Sequence, residues 1–135
     1  MVAPRINLKA RPIDIRRVKQ GAEPFHRTIV ADLESTGVYN KGLLYRVVES
    51  NRLLELLRTG RDQPTPTLTF LTEEELTAGR GTAVTHVAER GAALAVFDQN
   101  HLRRVNDGRE YTFKSPTDRL KALLAVYKPS RPKNY

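Results

Sequence analysis

Leu43-Leu44-Tyr45-Arg46-Val47-Val48-Glu49-Ser50-Asn51-Arg52-Leu53-Leu54-Glu55-Leu56-Leu57-Arg58-Thr59-Gly60 carries, in one stretch, the two patterns on which the fold class turns. Its first six residues are a short apolar run with one arginine inside, which reads as a mostly buried strand. Ser50 offers a side-chain oxygen to the open amides of a helix start and is the expected N-cap. Leu53, Leu54, Leu56 and Leu57 form one apolar stripe at helical spacing, and Gly60 suits the left-handed closing position. Burial of all four leucines would contribute on the order of 6–12 kcal/mol before entropy.

Downstream, Arg61 to Pro66 reads as a loop, and Thr67-Leu68-Thr69-Phe70-Leu71 alternates hydroxyl and apolar residues as a half-buried strand does. Thr72-Glu73-Glu74-Glu75 has the form of a capping box, opening a short helix interrupted by Gly79 and Gly81. Ala83, Val84, Val87 and Ala88 make a second helical stripe closed by Gly91, and Ala92 to Phe97 reads as a central strand. Residues 99–109 read as a polar connection ending in an Asn106-Asp107-Gly108 turn, and Glu110 to Phe113 as a strand. Ser115-Pro116 begins a helical turn with Asp118 near its positive end, and Leu123 to Tyr127 suits either the end of that helix or a last strand.

Upstream, Pro4 and Pro12 oppose one continuous helix. The alternations at Ile6/Leu8 and Ile13/Ile15 suit two short extended pieces or an ordered arm. Gly21 to Pro24 is a break, and residues 25–34 suit strand or helix. The expected architecture is a compact α+β domain, a short-stranded, mostly antiparallel sheet flanked by helices. No glycine-rich loop joins strand to helix, which disfavours a parallel dinucleotide fold. The expected organisation is a basic N-terminal arm or domain extension over 1–42, a core domain over 43–127, and a basic flexible tail over 128–135.

Length and composition bound the function. The chain has 135 residues, enough for one domain, with 39% hydrophobic and 28% charged residues, which argues against wholesale disorder. It has no cysteine, which excludes disulfides, cysteine zinc sites and cysteine nucleophiles. No apolar run approaches the length of a membrane span. The first 20 residues hold six basic side chains and no apolar run, so no secretory signal and a cytoplasmic location are expected. The net charge is +8 and the pI about 10.1. Residues 1–30 carry seven basic and two acidic side chains, residues 31–100 seven and ten, and residues 101–135 nine and three. An acidic macromolecule, with nucleic acid the first expectation, would be drawn to the basic ends through phosphate contacts. Arg16, Arg17 and Lys19 at one end, and Arg103, Arg104, Lys128, Arg131 and Lys133 at the other, are the candidate contacts. The alternative is that basic ends only keep a small protein in solution.

His26, His86 and His101 lack paired metal-ligand spacing, and no nucleophile elbow or phosphate-cradling loop is present, so no metal is expected. Three features carry candidate chemistry. Arg46 lies inside an apolar strand, and a buried guanidinium needs an anion, either an internal carboxylate or a ligand's pyrophosphate. Thr67 and Thr69, following Thr65, point to one face of their strand, and would line a groove or simply suit a solvated sheet face. Glu110 opens a strand just after a turn. It would project into a cleft and stabilise a cationic sugar transition state, or else pair with Arg109 or Arg104.

Leu44-Tyr45-Arg46, the leucine-rich helix ending at Gly60, Thr67-Leu68-Thr69, the alanine-bearing helix and apolar strand to Asp98, and Glu110 together resemble an ADP-ribosyltransferase domain over residues 43–127. The family opens its dinucleotide cleft with an arginine or histidine on a short strand, follows with a hydroxyl-bearing strand, and ends with a catalytic glutamate. The resemblance implies NAD as a substrate and a toxin-like or modifying activity on a macromolecular target. It implies Tyr45, Arg46, Thr67 and Thr69 as cofactor-binding residues and Glu110 as the catalytic residue. Gly108-Arg109-Glu110 stands where members that modify arginine carry Glu-x-Glu, so an arginine target is not implied. The alternatives are a non-catalytic basic nucleic-acid-binding module and a protein-binding adaptor or inhibitor.

Overall fold

The computed structural model describes residues 9–37, 42–63, 65, 67–79, 83–108, 110–115 and 121–130. Its strands are β1 (Arg11–Asp14), β2 (Leu43–Val48), β3 (Leu71–Thr72), β4 (Ala93–Asp98), β5 (Leu102–Val105), β6 (Glu110–Phe113) and β7 (Leu123–Ser130). Its helices are α1 (Ile15–Val18), α2 (Ala22–Ser35), α3 (Leu53–Thr59), α4 (Glu73–Thr77) and α5 (Ala83–Arg90). One sheet has the order β1-β7-β4-β2-β3, while β5 and β6 form a separate hairpin. All pairings are antiparallel except β1 with β7. The fold is α+β, a mostly antiparallel sheet with helices packed on it.

The alternation of β2 divides the core in two. Leu43 and Tyr45 pack with Val18 of α1, Phe25, Ile29 and Leu33 of α2, Leu76 of α4 and Val87 of α5. Leu44 and Val48 pack with Leu56 of α3, with Phe70, and with Leu102 and Tyr111 of the hairpin. Successive strand residues face opposite sides of a sheet, so α1, α2, α4 and α5 cover one side and α3 with the β5–β6 hairpin the other. Residues 11–35 supply the edge strand β1 and the core helix α2.

Several local expectations change. Ser50 does not cap α3. An added 3-10 turn over Ser50–Arg52 delays the helix, Arg52 takes the cap position without a side-chain bond, and Ser50 Oγ donates to the Gly91 carbonyl at 3.3 Å. The leucine stripe is only partly used: Leu56 is fully buried, Leu53 and Leu57 are half-buried, and Leu54 is 69% exposed. A seven-residue helix meets the sheet along a narrow line, so the burial gain is nearer roughly 2–3 kcal/mol for Leu56 plus fractions from its neighbours. The predicted strand over 67–71 is reduced to one bridge, Leu68 with Tyr111, and the two residues of β3. The polar connection over 99–109 contains β5, whose central arginines hide a strand held by pairing with β6. Residues 128–130 are not tail but the end of β7, paired with β1 through Pro12↔Lys128, Ile13↔Pro129 and Asp14↔Ser130. The expected turn at Pro116–Asp118 and the tail beyond residue 130 lie outside the described residues.

Two of the expected helix boundaries are present. Thr72 Oγ1 accepts from the Glu75 amide at 3.1 Å while the Thr72 amide donates to Glu75 Oε1 at 3.1 Å, a complete capping box. Gly60 closes α3 with φ of 84°, a left-handed value that glycine adopts without Cβ strain. No helix among the described residues is long and apolar enough to cross a membrane.

Candidate functional site

The β2–β3 ladder contains only Leu44↔Thr72 and Tyr45↔Leu71. Continued, it would set Val47 opposite Thr69. Instead the chain before Leu71 turns away to the hairpin, where Leu68 exchanges backbone bonds of 2.9 and 2.8 Å with Tyr111. Apolar residues set that path: Leu68 and Phe70 bury into the second cluster, Phe70 meeting the rings of Phe97 and Tyr111 at 5.0 and 5.5 Å between centroids. Thr67 and Thr69, on the alternate positions, face the other way. The split between the strands leaves a cavity of about 190 Å³ lined by Tyr45, Arg46, Val47, Thr69, Phe70 and Leu71.

Arg46 closes the split with its own side chain. Its Nε donates to Asp62 Oδ1 at 2.8 Å and its Nη2 to Oδ2 at 3.1 Å, a two-pronged ion pair. Its Nη1 donates to the Thr69 carbonyl at 2.9 Å and Oγ1 at 3.3 Å, taking an acceptor that the broken ladder leaves open. The Arg46 side chain is 12% exposed and that of Asp62 4%. The internal carboxylate named as one anion for this guanidinium is Asp62. Asp62 reaches it because Gly60 turns the chain back after α3, and the Thr59 hydroxyl, 2.9 Å from both the Glu55 and Arg61 carbonyls, shares its one proton between them to hold the turn.

Glu110 opens β6 beside a turn in which Asn106, Asp107 and Gly108 all have positive φ, at 52°, 59° and 82°. Thr67 Oγ1 donates to its Oε2 at 2.6 Å and Asn106 Nδ2 to its Oε1 at 2.8 Å. These donors, Thr67 first and Asn106 second, hold the carboxyl below the usual glutamate range, outweighing the slight opposing effect of burial. The alternative pairing with Arg104 is not formed, and Arg109 lies outside the described residues. Arg104 instead donates from Nε to the Tyr111 hydroxyl at 3.1 Å and stacks over that ring at 5.5 Å.

Arg46, Thr69, Thr67 and Glu110 thus form one row. Thr69 meets the guanidinium and Thr67 meets the carboxylate, and the two threonines stand two residues apart, roughly 7 Å at strand rise. Tyr45 is wholly buried in the first cluster, its ring edge-on to His26 at 5.8 Å, and it contributes to the wall of the cavity. On the other side of Asp62 lies a cavity of about 450 Å³ lined by Asn51, Arg52, Glu55, Arg61, Asp62 and Gln63 among others.

The candidate phosphate contacts scatter. Arg16 is held by Asp14 at 2.8 Å, beside the cap that Asp14 provides for α1. Arg17 and Lys19 are exposed at the end of α1, Lys128 is exposed on β7, and Arg131 and Lys133 lie outside the described residues. Arg103 is exposed and, by strand alternation, shares the hairpin face of Glu110, whereas Arg104 shares that of Tyr111. Asp62 and Asn106 were missed from sequence. The buried arginine signalled that some carboxylate was needed but not which one, and the Asn106 turn signalled a loop but not the reach of its amide.

In comparisons with protein-family models, curated proteins and solved structures, no match was found.

Proposed function

We propose that the chain is an ADP-ribosyltransferase-like protein that binds NAD and transfers ADP-ribose to a macromolecular target. The observation carrying this reading is the row Arg46–Thr69–Thr67–Glu110, which joins side chains from β2, the divergent segment and the hairpin at the edge of a strand split. In the reaction, the bond between the nicotinamide nitrogen and the ribose carbon breaks, and its electron pair leaves with neutral nicotinamide. Positive charge builds on the ribose. Glu110, kept ionised by its two donors, faces that charge without having to reorganise. A nucleophile of the target then bonds to the same carbon and releases its proton to solvent.

The remaining residues have supporting parts. Thr67 spends its hydroxyl proton on Glu110 and presents an oxygen to the ribose as an acceptor. Arg46 uses four hydrogen bonds internally, and Asp62 balances its charge, so one of its five N–H groups is left for a ribose or phosphate oxygen. Its contribution is rigid placement rather than net positive charge. Arg52 and Arg61, beside the larger cavity, supply that charge to the diphosphate.

The test is two-fold. Saturating NAD should raise the melting temperature, by about 2.7 kcal/mol of stabilisation at 100 times Kd. Glu110→Gln should keep that shift while losing nicotinamide release, followed by chromatography. A wild-type protein indifferent to NAD, or a variant that turns over normally, rejects the reading. The second reading, a non-catalytic basic nucleic-acid-binding module, draws on Arg17, Lys19 and Arg103, which are exposed and form no ion pair among the described residues. It predicts salt-dependent oligonucleotide affinity with no response to NAD.

A further inference from the structure

The helical side of the sheet carries a groove that the Arg46–Glu110 row does not use. The buried stripe of α2, Phe25, Ile29 and Leu33, leaves Pro24, Arg27, Thr28 and Ala31 on its outer side. Val18 of α1 is buried likewise, turning Arg17 and Gln20 outward. Gly21, at φ of 121°, breaks the chain between the two helices so that they lie against each other. The six outward residues line an open groove of about 580 Å³.

Its chemistry is specific. Pro24 and Ala31 contribute small side chains to its lining. Thr28 Oγ1 already donates to the Pro24 carbonyl at 3.0 Å. The free donors are therefore the Arg17 and Arg27 guanidiniums and the Gln20 amide, with exposed Lys19 beside them. Neither guanidinium takes part in an ion pair or hydrogen bond among the described residues. Asp14 is occupied by Arg16, and Asp32 by Arg11 at 2.8 Å. Glu23 and Glu34 of α2 remain as exposed carboxylates near this corner, and neither forms an ion pair with Arg27 or Arg17 among the described residues.

The geometry points to a groove that holds the backbone of a single nucleic-acid strand, without reading its bases. Two arginines in one channel match successive phosphates. No aromatic ring lines the channel, so there is no platform for base stacking. An acidic peptide would ask for an apolar anchor pocket, and a lipid surface for an exposed apolar side chain. The groove has neither, and Leu54, the large apolar residue exposed among the described ones, lies on α3 across the sheet. At about 580 Å³ the groove is too small to seat a duplex, whereas a few linked phosphates of one strand fit along it. The groove and the Glu110 row occupy opposite sides of the sheet, so this inference stands independently of the proposed activity.

The experiment measures anisotropy of a fluorescent oligothymidylate across 50–200 mM salt, with the full chain. Each phosphate contact contributes about 0.7 to the slope of log affinity against log salt for a single strand. Arg17→Gln/Arg27→Gln should reduce the slope by about 1.4, shrinking the loss of affinity over that range about 7-fold. Arg17→Lys/Arg27→Lys should keep the wild-type slope, since a point charge suffices for a phosphate. The NAD-induced thermal shift, if present in the wild type, should persist in both variants. An unchanged slope in the glutamine variant overturns the inference. So does equal binding of a polyglutamate of the same charge, or preferential binding of duplex.

Discussion

Asp62→Ala leaves the Arg46 guanidinium facing no carboxylate in a place where its side chain is only 12% exposed. Two charge-assisted bonds, at 2.8 and 3.1 Å, are lost, while the Thr69 carbonyl still accepts from Nη1. Breaking a buried pair by removing one partner typically costs about 3–5 kcal/mol, because the survivor stays desolvated. Domains of this kind are stable by about 5–15 kcal/mol in total, so the variant should lose about a fifth of its stability at the least. For a chain of this length that is a fall in Tm of roughly 10–20 °C. Urea unfolding followed by circular dichroism, with calorimetry alongside, measures it. Arg46→Met/Asp62→Leu removes both charges at similar volume and should recover most of the loss, giving a large coupling energy in the double-mutant cycle. A loss below about 1 kcal/mol for Asp62→Ala, the range of an exposed pair, would refute the reasoning. So would a double variant no more stable than the single one.

Three further outcomes are expected. Thr67→Val removes the first of the two donors that hold Glu110 below the ordinary glutamate range. A carboxyl lowered in the folded state stabilises above its unfolded pKa and loses that effect as pH falls through the folded value. In the proposed reaction, which needs Glu110 ionised, the acid limb of nicotinamide release should likewise begin at higher pH in Thr67→Val than in wild type, and coincident pH profiles would count against the Thr67 bond. Leu56→Ala should cost about 2–5 kcal/mol and Leu54→Ala no more than about 0.5, since one leucine is fully buried and the other 69% exposed; equal costs in urea melts would contradict the packing of α3. Burial, and then the Asp32 carboxylate that accepts from its hydroxyl, push the Tyr127 phenol far above the usual tyrosine range. Alkaline titration by absorbance should show that Tyr127→Phe lacks a phenol which in the wild type ionises only on unfolding, and a variant that instead lacks an ordinarily titrating phenol would refute the contact.

Local chemistry was legible where it depended on neighbours in the chain. The capping box at Thr72–Glu75, the left-handed Gly60 and the apolar run at Ala93–Phe97 need only a few adjacent residues to be recognised. Ser50 misled because a capping preference is real but weak, and one added 3-10 turn moved the helix start past it. β5 was hidden because Arg103 and Arg104 look like loop material until β6 pairs with them. The stretch after Leu123 was undecidable between helix and strand, and pairing with β4 and β1 chose strand.

The amino-acid order determined an α+β domain with Arg46 on a buried strand, two threonines on one face of a short segment, and a carboxylate just beyond a turn. Each follows from periodicity or from the cost of burying charge, which act over a few residues. Tertiary structure decided which partners these groups meet. Asp62 rather than another carboxylate satisfies Arg46, Thr67 rather than Arg104 meets Glu110, and Arg27 joins Arg17 across a groove. Those choices depend on where the second core cluster pulls Leu68 and Phe70 away from β2, and on how α1 folds back along α2. Contacts between residues far apart in the chain arise from shared burial, which no local pattern encodes.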